Sequence, residues 1–496
     1  MSIDTSTKHI YRKRLGVIWL SVEIALVSST IFGFNAIFEI LSKGHIYDSY
    51  CIISNETNVT INSNESCDEQ QKKYQEAVAL GLIFYNLPTV LVGICIDLFG
   101  IRSVKLISII FHVIGWLSLG FAQPGQDHLI FIHTVFTAFS GSCTMVTTYA
   151  SSAYFSRSRA FISTIFTGAG IISGIWFAIF QILIDNNKIS LRQICFIWAS
   201  FGVLLLISSF LFLDWKFPFL NLSYQFDTKQ DEITTRNPES SETINNEKKW
   251  YKRIYKRLGI WKYLTSPLYI MIVLFLSTLF ITTDLLAITW YPMNYDLYNH
   301  DASLGNVHQT TKYTNAFNFS ILSGIFICPA AGYFLDFRAH QNRKQKILNI
   351  LILQILTWLL CIIICLVCMF ISTKSIIPLI ILSCFTRSIL SSGPQAIVVT
   401  YFPTRYIGTL TGIMWTMVGV LTFVQYGLVP LTTDISKLWR AWLIVLILVL
   451  IVIIHLFQIL RLYIEEKRNT QADKEKVDEK EKNIEQSFNE IIITRL

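Results

Sequence analysis

Twelve mostly apolar stretches, each about twenty residues long or longer, divide this chain. They fall near 15–41, 75–97, 104–122, 128–153, 160–183, 191–214, 265–290, 312–336, 346–370, 376–401, 407–431 and 439–462. A helix rises about 1.5 Å per residue, so about twenty residues cross the hydrocarbon layer of a bilayer. Backbone groups in lipid must bond to one another, and runs of this length do so as helices. The spacing therefore predicts an all-α polytopic membrane protein with twelve transmembrane helices. Charge content agrees, because only 15% of the 496 residues are charged and 52% are hydrophobic. A water-soluble surface of that size needs more charge.

Residues 1–14 are polar and end in Tyr11-Arg-Lys-Arg14, which predicts a cytosolic N-terminus. The first apolar run is longer than a signal-peptide core and lacks a small-residue cleavage site. An even number of spans returns the charged tail, 464–496, to the same side. Much of the net charge of +8 sits in a few loops, which argues for membrane orientation rather than nucleic-acid binding. The loop 42–74 carries glycosylation sequons at Asn55, Asn58 and Asn64, usable only on the lumenal or extracellular face. Their position agrees with the orientation read from the N-terminus and with a plasma-membrane setting. Cys51 and Cys67 in the same loop can close a disulfide or remain free thiols.

The segment 215–264 separates two bundles of six spans, 15–214 and 265–463. Its first part is polar. Its second part, Lys248 to Lys262, alternates cations with aromatics and suits either a helix on the anionic leaflet or a solvated basic linker. Thr494-Arg-Leu496 offers a weak fit to a PDZ-domain groove.

Between the second and third runs lies Gly93-Ile-Cys-Ile-Asp97-Leu-Phe-Gly100-Ile-Arg102-Ser-Val-Lys105. A carboxylate ends one helix, Gly100 permits a sharp reversal, and two cations open the next helix. A shorter copy, Gly332-Tyr-Phe-Leu-Asp336-Phe-Arg338, stands at the corresponding place in the second half. Tyr154-Phe155 and Tyr401-Phe402, each near arginines, also correspond, as do Thr167-Gly168 and Thr411-Gly412. Paired features at matching places indicate a duplicated six-helix unit.

Ionisable residues deep in spans are costly and mark either a functional site or a buried pair. Glu23, Asp284 and Arg387 hold such positions. Glu23 and Arg387 are expected to reach the midplane and pair, with Asp284 nearer the outside. Asn35, Asn86, Asn315, Asn318 and Gln395 offer paired donors and acceptors to a solute. Phe34, Tyr149 and Trp415 can stack on a flat ring or simply pack. Pro394 and Gly168-Ala-Gly170 are candidate flexion points. No P-loop, dinucleotide fingerprint, nucleophile elbow or metal-spaced Cys/His set is present, so neither an enzyme nor a cofactor is expected.

The pattern G-x-x-x-D-x-x-G-x-R-x-x-K resembles the loop between helices 2 and 3 of the major facilitator superfamily. The order of features is also similar to the solute-carrier 43 family of large neutral amino-acid and equilibrative nucleobase transporters. The matching pieces are Glu23 with Phe32-Gly33-Phe34, the Cys51/sequon/Cys67 loop, Asn86, Ile189-Ser-Leu-Arg192, Tyr313-Thr-Asn315-Ala-Phe317, Arg387 and Phe402-Pro-Thr404. The resemblance implies a cavity lined by helices 1, 4, 7 and 10, which include Glu23, Asp284 and Arg387. It also implies a cytosolic latch built from Gly93, Asp97, Gly100, Arg102, Lys105, Asp336 and Arg338. Asn86 and the Tyr313 segment look more like the nucleobase member, and the intact Gly100-Ile-Arg102 loop more like the amino-acid members. Asp284 departs from the amide expected in the family, which leaves proton linkage open. The expected function is facilitative transport of a purine-type nucleobase by alternating access. The alternatives are transport of large neutral amino acids and a non-transporting sensor on the same fold.

Overall fold

The computed structural model describes residues 5–49, 68–152, 155, 158–213, 260–299, 306–339, 343–403, 406–428, 431, 435–468 and 471. Asn55, Asn58, Asn64, Cys51, Cys67, most of the central linker and Thr494–Leu496 lie outside the described residues. Eleven helices among the described residues are long and apolar enough to span a membrane. They are α1 (Arg14–Ile37), α2 (Lys72–Phe99), α3 (Ile101–Phe121), α4 (His128–Ser151), α5 (Arg159–Asp185), α6 (Leu191–Leu211), α7 (Pro267–Trp290), α8 (Lys312–Asp336), α9 (Arg343–Met369), α10 (Thr373–Tyr401) and α12 (Lys437–Arg468). The eleventh apolar run, 407–431, is shorter than expected. It forms α11 (Ile407–Thr422), followed by a separate turn, Val424–Leu428. Large apolar side chains such as Ile18, Leu91, Phe326 and Phe457 are more than half exposed. A surface of that kind is stable against lipid rather than water.

Several spans are broken where polar partners wait. The α-helical part of α1 ends at Val27 and resumes as a 3-10 segment, Thr30–Ile37. The carbonyls of Ala25 and Leu26 at this break accept the indole N–H groups of Trp176 and Trp198, at 2.6 and 3.0 Å. The Ser29 N–H donates to Ser173 Oγ at 2.6 Å, and Ser29 Oγ lies 2.8 Å from the Tyr85 hydroxyl. Backbone groups freed inside a membrane are costly unless another element bonds them. These side chains hold the break in one geometry. Below it, Trp116, Phe177, Phe180 and Trp198 interlock, with Phe180 and Trp198 rings 4.4 Å apart.

The first and last six helices meet along two seams, α2 against α11 and α5 against α8. The seams are copies of one another, since α2 corresponds to α8 and α11 to α5 in a duplicated unit. Close helix approach requires small residues at the crossing. A Cβ on Gly93 would overlap the Gly408 carbonyl, and one on Gly332 would overlap the Thr164 hydroxyl.

Candidate functional site

Each seam ends in a carboxylate bound to the start of a helix from the other half. Asp97, near the end of α2, accepts the backbone N–H groups of Gly408 and Thr409 at 3.2 and 2.8 Å, and the Thr409 hydroxyl at 2.5 Å. Asp336, at the end of α8, accepts the N–H of Phe161 near the start of α5 at 2.8 Å. The first N–H groups of a helix have no partner within it and carry partial positive charge, so a carboxylate there is doubly favoured. After Asp97 the chain reverses at Gly100, whose φ of 92° is a glycine conformation. In the shorter copy Arg338 takes the left-handed turn itself, at φ 53°.

Two expected latch cations are used inside the first half. Arg102 donates to the carbonyls of Leu213 and Phe210 at the end of α6. A cation suits the negative end of a helix. Lys105, one turn further along α3, donates to Glu23 of α1, and both side chains are buried. The expected Glu23–Arg387 pair is therefore corrected to Glu23–Lys105. The physical reason is helical spacing. Arg102 and Lys105 are three apart and face the same side of α3, inward toward α6 and α1.

Arg387 instead lines a cavity formed mainly by the second half, with Ile171 the one lining residue from the first. Ile171 of α5, Thr283 and Leu286 of α7, Phe317, Ser320 and Ser323 of α8, and Ser383, Cys384 and Ser388 of α10 line it with Arg387. Asp284, next to Thr283, is close enough to attract Arg387. Both are only half-buried. The guanidinium also lies 5.9 Å from the centre of the Phe32 ring, which comes from α1 in the other half. Phe32 packs edge-on against Tyr85 at 5.2 Å. Most hydroxyls here, among them Ser320, Ser323 and Ser383, donate to carbonyls of their own helices. Arg387 thus brings five donors to the cavity lining, with the acceptor-only carboxylate of Asp284, itself bonded by Gln425, near it.

The other sequence candidates divide. Asn35 is exposed one turn beyond Phe32 on the same face of α1, and Asn315 is exposed on α8. Asn86 sits at the α2–α11 seam, against Gly419. Gln395 is buried and acts within its own half, donating to Thr411 at 3.2 Å and accepting the Trp415 indole N–H at 3.1 Å. Trp415 in turn meets the edge of Phe280. Phe34 is buried against His133 and Phe177, and the buried Tyr149 hydroxyl accepts from Thr167. Neither faces the cavity-lining residues. Phe32 entered the sequence reading only within the Phe32-Gly33-Phe34 match, and Thr89, Thr409 and Thr416 of the α2–α11 seam escaped it. The break in α1 turns Phe32 rather than Phe34 outward, and only the residue spacing around Ser28-Ser29 hints at it.

A model of the Major Facilitator Superfamily matches residues 70–426. Over 436 residues the chain is 22% identical to equilibrative nucleobase transporter 1 of Bos taurus, covering 82% of this chain and 86% of that protein. Over 211 residues it is 24% identical to the large neutral amino acids transporter small subunit 3 of Mus musculus. That match covers 40% of this chain and spans only 37% of the relative's length. Among solved structures, the proton:xylose symporter XylE bound to 6-bromo-6-deoxy-D-glucose superposes with a TM-score of 0.58 at 13% identity, covering 90% of this chain and 95% of that one. At that identity the likeness speaks for the fold alone.

Proposed function

The chain belongs to the Major Facilitator Superfamily and moves a solute across a membrane, and on that premise we propose that its solute is a purine-type nucleobase, carried facilitatively by alternating access. Its work is transport rather than catalysis. The observation that carries the reading is Arg387, half-buried on the lining of a cavity of the second half with Asp284 near enough to attract it, in a molecule whose halves are sealed at their Asp97 and Asp336 end. A neutral heterocycle presents donors and acceptors along one edge, which a guanidinium and a nearby carboxylate can match. Phe32, beside Arg387, offers such a ring an aromatic face. The match to a nucleobase transporter over most of both chains supports the same substrate class.

The proposed orientation puts both termini and the Asp97/Asp336 seams on the cytosolic side of the plasma membrane. The state described is then closed to the cytosol, and solute enters from outside. Rocking of the two halves would break both carboxylate contacts and open the cavity inward.

A second reading draws on the same pair. Fixed positive and negative groups also fit the carboxylate and ammonium of a zwitterion, which favours a large neutral amino acid. Uptake of radiolabelled adenine and leucine into cells expressing the chain separates the readings, with and without sodium and at two pH values. Adenine uptake above control cells, with leucine at background, is the expected result. Leucine uptake alone transfers the proposal to amino acids, and uptake of neither removes both.

A further inference from the structure

The second helix is interrupted at Leu87-Pro88, between helical segments Asp68–Asn86 and Thr89–Phe99. Pro88 has no N–H, so the regular helical ladder fails around it. Val90 N–H does not complete its turn within α2. It donates instead to the hydroxyl of Thr416 on α11, at 3.1 Å. The same hydroxyl lies 3.1 Å from the Leu87 carbonyl and 2.9 Å from the Thr89 hydroxyl. Thr89 completes the ring, 2.6 Å from the Asn86 carbonyl and 2.8 Å from the Gly412 carbonyl. A backbone fault in one half is thus closed by a side chain from the other.

We propose that Thr416 is a second lock on the α2–α11 seam, which bonds the broken backbone of α2 only while the halves are together. The inference rests on alternating access as the working cycle. The ring sits eight residues before Asp97, roughly 12 Å deeper along the seam. Asp97 fastens the end of the seam and Thr416 its middle. When the seam parts, Val90 N–H and the Leu87 carbonyl lose their partner at membrane depth and need water from the opening pathway. The hydroxyl therefore favours the closed seam, and the proline break is what gives it that leverage. Valine in its place keeps the shape and deletes the bonds. A continuous α2 would make the hydroxyl dispensable.

Spin labels placed through an unnatural azido side chain at Ser103 on α3 and at Lys262, in the last residues of the linker before α7, report seam opening by pulsed distance measurement on the full chain. Thr416→Val should raise the long-distance share roughly two- to tenfold over wild type, the span expected for a lost neutral hydrogen bond. Thr416→Ser should stay at the wild-type value. Adding Pro88→Ala should cancel most of the Thr416→Val effect, an outcome that general misfolding would not give. Asp97→Asn serves as the reference. A shift for Asp97→Asn but none for Thr416→Val overturns the lock. Equal shifts for the valine and serine variants overturn the role of the hydroxyl, and persistence of the shift with Pro88→Ala overturns the role of the break. No shift with any variant, Asp97→Asn included, counts against the alternating-access reading itself.

Discussion

The Asp97 carboxylate at the end of α2 accepts both the N–H and the hydroxyl of Thr409 at the start of α11, at 2.8 and 2.5 Å. One side chain thereby joins the two halves of the molecule at the point where a helix presents unpaired N–H groups. Asp336 makes the corresponding contact with Phe161. Opening at this end breaks these bonds, a cost that the transport cycle must repeatedly overcome, and the following substitutions measure it.

Asp97→Asn keeps the shape but removes the charge. Hydrogen bonds to charged groups contribute about 1.5–3 kcal/mol, so the closed state should lose roughly tenfold or more in population. Uptake should fall by a similar factor while surface biotinylation stays near wild type. Unchanged uptake would make the contact merely structural.

Close approach at the seams predicts a steric phenotype. Gly93→Ala and Gly332→Ala each place a methyl group into the opposite helix, and overpacking of that kind costs about 1–3 kcal/mol. Both should hold the seam apart and raise the apparent KM for external solute. Gly427→Ala is the control, because nothing lies within 4 Å of its added Cβ. Equal behaviour of all three would contradict the packing argument.

The Glu23–Lys105 pair is buried, and breaking such a pair by removing one partner costs about 3–5 kcal/mol. Glu23→Gln and Lys105→Met should each lower the thermal stability of the detergent-solubilised protein sharply. The double variant should lose less than the sum. Stability measured by fluorescence-detected gel filtration after heating checks this. Restoration of Glu23→Gln by a change at Arg387, and not by one at Lys105, would reverse the assignment.

Arg387 lines the cavity, so Arg387→Gln should abolish uptake and lower thermal stability less than Glu23→Gln does. The facilitative reading predicts uptake independent of external pH. Uptake that rises as pH falls, and loses that dependence in Asp284→Asn, would instead assign a coupled proton to Asp284.

The helices and the duplicated carboxylate were legible because both rest on local pattern. Apolar length needs no tertiary information, and the Gly93-to-Asp97 spacing repeats at Gly332-to-Asp336. Side-chain direction was less legible. Charge inside a span marks a residue as special but not its partner, which is why Glu23 was paired with Arg387 rather than with Lys105, read as a latch cation opening its helix. Phe32 and Phe34 are equivalent as sequence, and the 3-10 geometry of Thr30–Ile37 decides which one reaches Arg387. Thr416 is an ordinary threonine until α2 breaks opposite it. These relations depend on where helices fail, and such failures need partners distant in the chain.

The central claim is that this chain carries a solute by exposing one site alternately to two sides. Counterflow in proteoliposomes tests it most directly. Vesicles reconstituted with the purified full chain are loaded with unlabelled adenine and diluted into a trace of labelled adenine. A carrier predicts transient accumulation of label above its equilibrium level, lost in Arg387→Gln, with no ion gradient or nucleotide supplied. Label that never exceeds the amount of reconstituted protein would mark a sensor that binds without transport, and would contradict the account.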